Sequence, residues 1–237
     1  QPHVRYVELV SNASLLTRRL PVLGRQANLG KVSLWLTWHE GQMSLKTFIA
    51  AAAVAQDVYG CFVVVNTLLF TPADTDAARR VKAAADDAGL RFNLDLGYDP
   101  SAPSDTFTHA DDLARAVPLL GAGNVVDAVR AAGGDAALTQ VALTGLTAPE
   151  GLPCRAGHDY VFIDIHGQVY RCSRYSVLDR ERYGNALDPD FDLTLRPQTW
   201  APCGAATGCC NKEDFLNLQA AEPLRERDVP SLGWTDA

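Results

Sequence analysis

The sequence contains no run of about 18 apolar residues, so no membrane-spanning helix is expected. Its longest apolar stretch, residues 49–70, is interrupted by Gln56, Asp57 and Gly60. The first residues do not pair a basic flank with an apolar segment, as a secretory signal would. A reducing, cytoplasmic setting is therefore expected. The chain starts with Gln1 where a complete product would carry Met, which suggests a piece of a longer chain. A basic excess is also missing: 21 Lys and Arg stand against 28 Asp and Glu, a formal net charge of −7. Phosphate binding calls for a basic surface, so no nucleic-acid partner is expected. No glycine-rich phosphate loop follows any expected strand, which disfavours a dinucleotide-binding fold.

What is present suits a globular chain. The 237 residues are 47% apolar, enough for one large domain or one domain and a small appendage. The first hundred residues alternate two periodicities. Strands are expected at Val4–Val10, Val32–Thr37, Cys61–Leu68 and Leu90–Leu96. Helical spacing joins Leu15, Leu16, Leu20 and Leu23 before Gly24. It joins Leu45, Phe48, Ile49 and Ala52 after a Ser44 cap, with Gly60 as the stop. It joins Ala77, Ala78, Val81, Ala84, Ala85 and Ala88 after an Asp74 cap, with Gly89 as the stop. Four βα units predict an α/β fold with a parallel sheet, either doubly wound or part of a (β/α) barrel. In both, functional groups gather at the carboxyl ends of the strands. Those ends carry Ser11-Asn12, Trp38-His39-Glu40, Asn66-Thr67 and Gly97-Tyr98-Asp99. His39 and Glu40 also read as an ordinary solvated loop. Asn66, polar within an apolar run, needs a partner: a cofactor or a neighbouring loop.

Beyond residue 100, helices are expected at 111–120 and 124–132, the second broken by Gly133-Gly134. Residues 138–143 read as a strand or a sheet edge, and 147–153 as a linker.

Five of the six cysteines fall between residues 154 and 210. Tyr160–Ile165 reads as a strand, His166-Gly167 as a two-residue turn and Gln168–Arg171 as the returning strand. A hairpin of this kind brings Cys154 towards Cys172. Residues 191–195 read as a short strand and 197–208 as a loop. Cys203, Cys209 and Cys210 lie in or just beyond that loop, among small residues that let the backbone wrap closely around a ligand. A closing helix is expected at 212–221. A chain this long does not need disulfide staples, and clustered cysteines in a reducing compartment point to metal. Iron–sulfur, structural zinc and disulfides remain open for this set. His158 and His166 flank it as further candidate ligands, while Cys61, in an apolar strand, reads as core.

The cysteine region resembles the auxiliary-cluster module, SPASM or its shorter twitch form, of radical SAM enzymes. That pattern opens with Cys, nine to fifteen residues, Gly, four residues, Cys; here twelve residues separate Cys154 from Gly167 and four separate Gly167 from Cys172. Tyr183-Gly184-Asn185 is similar to the Gly-Asn step that commonly follows. Further upstream, Ser11-Asn-Ala-Ser-Leu-Leu16 resembles the Thr-Asn-Gly-x-Leu-Leu step of the radical SAM barrel, with Ser and Ala as departures. Val32–His39 with Leu45 and Phe48 resembles the next strand and helix, and Val63–Asn66 the strand after that. The resemblance implies a partial (β/α) barrel over 1–146 and a small cysteine-rich β-hairpin module over 147–237. It implies one [4Fe–4S] cluster held by Cys154, Cys172, Cys203, Cys209 and Cys210, up to four of them at once. It further implies S-adenosyl-L-methionine as cofactor of the complete enzyme, with Asn12, His39 and Asn66 in its pocket, and a peptide or small-molecule substrate. The family's Cys-x3-Cys-x2-Cys loop and Gly-Gly-Glu-Pro step do not occur; both are expected before Gln1, in an upstream segment or a partner chain. The second functional reading is a non-catalytic zinc- or cluster-binding module that recognises a partner protein or peptide.

Overall fold

The computed structural model describes residues 4, 6–69, 74–96, 125–136, 139 and 150–204. They belong to two compact units, one containing 4–96 and 125–136, the other 139 and 150–204. The boundary expected at 146–147 falls outside the described residues, as do Gly97-Tyr98-Asp99, Cys209, Cys210 and the helices expected at 111–120 and 212–221. Of 138–143 only Thr139 is described.

The first unit is a chain of βα units: β1 (Val7–Ser11), α1 (Leu16–Leu23), β2 (Val32–Thr37), α2 (Leu45–Asp57), β3 (Phe62–Leu69), α3 (Thr75–Asp87) and β4 (Arg91–Leu96), with α4 (Val125–Ala131) after them. All three strand pairings are parallel, in the order β1-β2-β3-β4. β2 and β3 are buried along nearly their whole length, as central parallel strands with two covered faces should be. On one face Leu34, Leu36, Val63 and Val65 pack with Phe48, Ala52 and Ala55 of α2 and Val81 and Ala85 of α3. Ser44 caps α2 as its position predicts, its hydroxyl accepting the Thr47 N–H at 3.2 Å. Asp74 occupies the cap position of α3 without a side-chain cap hydrogen bond.

The other face is not a plain apolar core. Thr37 pairs with Asn66 and Asn66 with Asn93 in register. Their side chains form a ladder: Asn93 Nδ2 donates to Asn66 Oδ1 at 2.8 Å, and Asn66 Nδ2 donates to Thr37 Oγ1 at 3.2 Å. Ser33, two residues before Trp35 on that face, is fully buried and its hydroxyl has no hydrogen-bond partner among the described residues.

The second unit is built from very short pieces: β5 (Pro153–Cys154), β6 (Phe162–Ile163), β7 (Gln168–Tyr170), α5 (Ser173–Val177), β8 (Arg182–Asn185) and β9 (Ala201–Pro202). β5 pairs with β9, and β6-β7-β8 form an antiparallel sheet. Residues 191–195, expected as a strand, run without regular structure.

The turn between β6 and β7 spans four residues where two were expected. Its cause is Asp164, whose carboxylate Oδ1 accepts the N–H groups of His166 at 2.8 Å and Gln168 at 2.9 Å. An Asx arrangement of this sort stabilises a longer loop locally. The Gly167 N–H donates to the Asp164 carbonyl at 3.0 Å. Gly167 has φ +80°, and a Cβ there would stand 2.6 Å from both Asn185 Oδ1 and Leu187 Cγ. Glycine is therefore required twice, for its left-handed backbone and for the space it leaves. Gly167→Val is expected to destabilise the second unit by more than about 1 kcal/mol, read as an earlier urea midpoint; an unchanged midpoint would show that the turn relaxes freely.

Candidate functional site

The site grows from the β5–β9 pair. Pro153 faces Pro202 and Cys154 faces Ala201, so Cys154 and Cys203 lie diagonally on one side of the ladder. Both backbone groups of Cys203 are tied down: its N–H donates to Leu152 O and its carbonyl accepts the Gly151 N–H, each at 2.8 Å. Cys154 is buried, 6% exposed, in a small apolar core with Ala156 against which Cys172 and Tyr160 pack. Cys172 lies two residues beyond the end of β7, after Arg171, and directly precedes α5. The fold thus brings near one another three cysteines that the sequence spreads over fifty residues, and among the described residues none of the three is joined in a disulfide.

Their surroundings are polar and cationic. The Ala156 N–H donates to Cys154 Sγ at 3.4 Å, a bond that favours a thiolate or a metal-bound sulfur. Arg171, 5% exposed, donates to the carbonyls of Ala156 at 3.2 Å and Pro202 at 3.0 Å and to Glu181 Oε1 at 3.1 Å. Its guanidinium carbon lies 5.0 Å from the centre of the Tyr175 ring. Arg196 Nη2 donates to the carbonyls of Cys154 at 3.1 Å and Ala156 at 2.9 Å, while its Nε and Nη1 are shielded from solvent without a partner among the described residues. Burial pushes the Cys154 thiol up and Cys203 adds to the rise; the Ala156 amide and the two guanidiniums pull the other way.

Gly157 completes the arrangement. At φ +87° its missing Cβ leaves room for the Tyr183 hydroxyl, 2.5 Å from where that atom would be. Its carbonyl accepts the Arg196 N–H at 2.8 Å.

Among the described residues no three His, Cys, Asp or Glu side chains stand close enough to share a single ion. The donor chemistry still suits a metal–thiolate centre. Soft sulfur ligands, an amide N–H on sulfur and buried positive charge are what an anionic thiolate complex requires. Cys154, Cys172 and Cys203 would hold such a group, with Cys209 or Cys210 as the further thiol.

The other candidates lie elsewhere. His158 is engaged through both ring nitrogens, Nδ1 with the Arg196 carbonyl at 2.8 Å and Nε2 with Thr199 Oγ1 at 3.5 Å. It steadies the Arg196 segment. His166 is exposed on its turn. Cys61 is buried in the first unit with its thiol pushed up by burial, as a core residue. Asn12 donates to Gln42 Oε1 at 3.0 Å, in the turn that starts at His39. Glu40 pairs at 3.2 Å with Arg80 on the surface. Asn66 is held by its neighbours in the ladder. Arg171 and Arg196 are the functional residues that the sequence reading missed; Arg171 beside Cys172 was a usable signal, and nothing local marks Arg196.

Comparison with family models, with curated proteins and with solved structures gives no match.

In the metal-free protein, Cys154 and Cys61 are expected to alkylate at neutral pH about tenfold more slowly than Cys172 and Cys203, because burial withholds the thiolate. Peptide mapping of iodoacetamide-treated protein over time checks this; equal rates would mean that the Cys154 pocket opens freely.

Proposed function

We propose that this chain is the carboxyl-terminal part of a radical SAM oxidoreductase, and that its second unit carries an auxiliary [4Fe–4S] cluster. The observation that carries the reading is the placement of Cys172 and Cys203 near Cys154, whose sulfur accepts an N–H bond, with the buried guanidinium of Arg171 and the half-buried one of Arg196 beside it. When bound, the cluster supplies one-electron transfer to a complete enzyme acting on a peptide or a small molecule. This chain's residues hold its thiol ligands, exclude water from Cys154 and fix Cys203 through its backbone.

Three features of the first unit support the partial-barrel part of the proposal. Its strands follow one another in sequence order, each crossover stepping the same way, as in a barrel wall. A doubly wound sheet reverses its order at a switch point. The face turned away from α2 and α3 carries buried Ser33, Asn66 and Asn93, which suits a lumen that meets a polar ligand. Ala13 has φ +61°, glycine's preferred region, at the place where the resembling Thr-Asn-Gly step has its glycine. In this reading Asn12, His39 and Asn66 line part of an S-adenosyl-L-methionine pocket that another segment or partner chain completes.

The second reading, a non-catalytic zinc- or cluster-binding module, is favoured by one observation: the sequence has no Cys-x3-Cys-x2-Cys loop. Anaerobic reconstitution separates the two. About four irons with sulfide per chain are expected, against one zinc for the alternative. Cys154→Ala combined with Cys172→Ala should abolish the visible absorbance; a full iron complement in that double variant would sink the ligand assignment. The chain alone, given dithionite and S-adenosyl-L-methionine, should form no 5′-deoxyadenosine above a no-protein control.

A further inference from the structure

The first unit leaves one edge of its sheet open. β1 pairs with β2 along all five of its residues without a bulge, and among the described residues no strand lies on its other side. Its residues are far more exposed than their register partners on β2. Leu9 is 39% exposed against 1% for Leu34, and Val10 is 66% exposed against 2% for Trp35. Successive side chains of a strand point to opposite faces, so apolar surface is open on both. Parallel strands normally have both faces covered, and open edges are normally guarded by lysine, proline or a bulge. β1 has none of these. Its single charge, Glu8, keeps one carboxylate oxygen shielded from solvent.

The charge that follows this edge along the chain is of one sign. From Leu9 to His39 the sequence holds no Asp or Glu, yet it carries Arg18, Arg19, Arg25 and Lys31, in a chain of net charge −7. Lys31 Nζ donates to the Val4 carbonyl at 2.6 Å. Arg18, Arg19 and Arg25 are exposed and join no ion pair among the described residues. Leu15, Arg19 and Val22 recur at helical spacing along one exposed flank of α1. We propose that β1 and α1 form the docking surface for an acidic polypeptide, an extended segment of which adds a strand to β1 while its carboxylates meet the arginines of α1. Main-chain hydrogen bonds along β1 supply affinity, and the arginines select the partner and speed its approach. A second copy of this chain fits the edge poorly, because a twofold contact sets like surfaces together and would bring arginine to arginine. A nucleic acid would use the arginines but has no use for an apolar strand edge, and the net charge opposes it. The inference does not depend on the cluster reading.

The test uses the full 237-residue chain and two fluorescein-labelled synthetic peptides. Each is an alternating valine–threonine strand, one flanked by glutamates and the other by lysines. By fluorescence anisotropy at low salt the glutamate peptide should bind about tenfold or more tightly than the lysine peptide, and the difference should shrink as salt is added. Hydrogen–deuterium exchange over residues 7–11 should slow when it binds. Arg18→Glu combined with Arg19→Glu should weaken the glutamate peptide about tenfold or more, with an unchanged urea midpoint because both side chains are exposed. Should that midpoint fall, the wild-type preference between the two peptides, which needs no variant, decides. No binding of the glutamate peptide, equal binding of both, or binding that leaves residues 7–11 unprotected would overturn the inference. So would self-association of the chain alone that protects β1, which gives the edge to a second copy. An oligouridine that displaces the peptide would make the arginines a phosphate surface and overturn it as well.

Discussion

The second unit depends on one buried guanidinium. Arg171 reaches from the end of β7 to the carbonyl of Ala156 after β5, to the carbonyl of Pro202 in β9, to Glu181 before β8, and lies over the Tyr175 ring of α5. Every one of these elements is five residues long or shorter. Pieces of that length bury too little apolar surface to find their places by hydrophobic contact alone. Arg171 supplies what they lack: donors in a fixed planar fork that holds several backbones at set angles. The cost of burying it is met by near-complete satisfaction, with Glu181 supplying the counter-charge at 3.1 Å.

The same framework places the thiols. Cys172 is the residue after Arg171, so the arginine's position fixes the cysteine's. Arg171 holds Pro202, and Cys203 follows it. The Ala156 carbonyl is shared by Arg171 and Arg196, and Cys154 is two residues away. Cys154 and Cys203 are thus each within two residues of a carbonyl gripped by a guanidinium, and Cys172 is beside the arginine itself. Such a site is set by main-chain geometry, which tolerates changes in surrounding side chains better than a packed apolar cage does.

In the first unit the constraint is different. Hydrophobic packing of α2 and α3 fixes one face of the sheet, and the parallel register then sets what lies on the other. Thr37, Asn66 and Asn93 share one rung because β2, β3 and β4 pair in that register. A slip by one residue would send Asn66 into the helix-covered core, where no partner waits. The ladder therefore reports the register as well as depending on it. It also answers the need for a partner raised by a polar residue in an apolar run: the neighbouring strands meet it.

The βα alternation, the parallel sheet and the Ser44 cap were legible in the sequence because they rest on local periodicity and on hydrogen bonds within a turn. Gly167 was legible for the same reason, its left-handed backbone being a property of the turn itself. The length of that turn was not, since the carboxylate of Asp164 outcompeted the two-residue alternative by capping two amides at once. Cysteine spacing marked Cys154, Cys172, Cys203, Cys209 and Cys210 as a set. It could not show that Cys154 and Cys203 share a side of one ladder, because that follows from a β5–β9 pairing between distant two-residue strands with no periodicity to read. Nor could it find Arg196, whose Nη2 bonds the carbonyls of Cys154 and Ala156 from 42 and 40 residues further along the chain. Local elements are written in neighbouring residues; the electrostatics of the site arise from burial and distance, which only the folded chain decides.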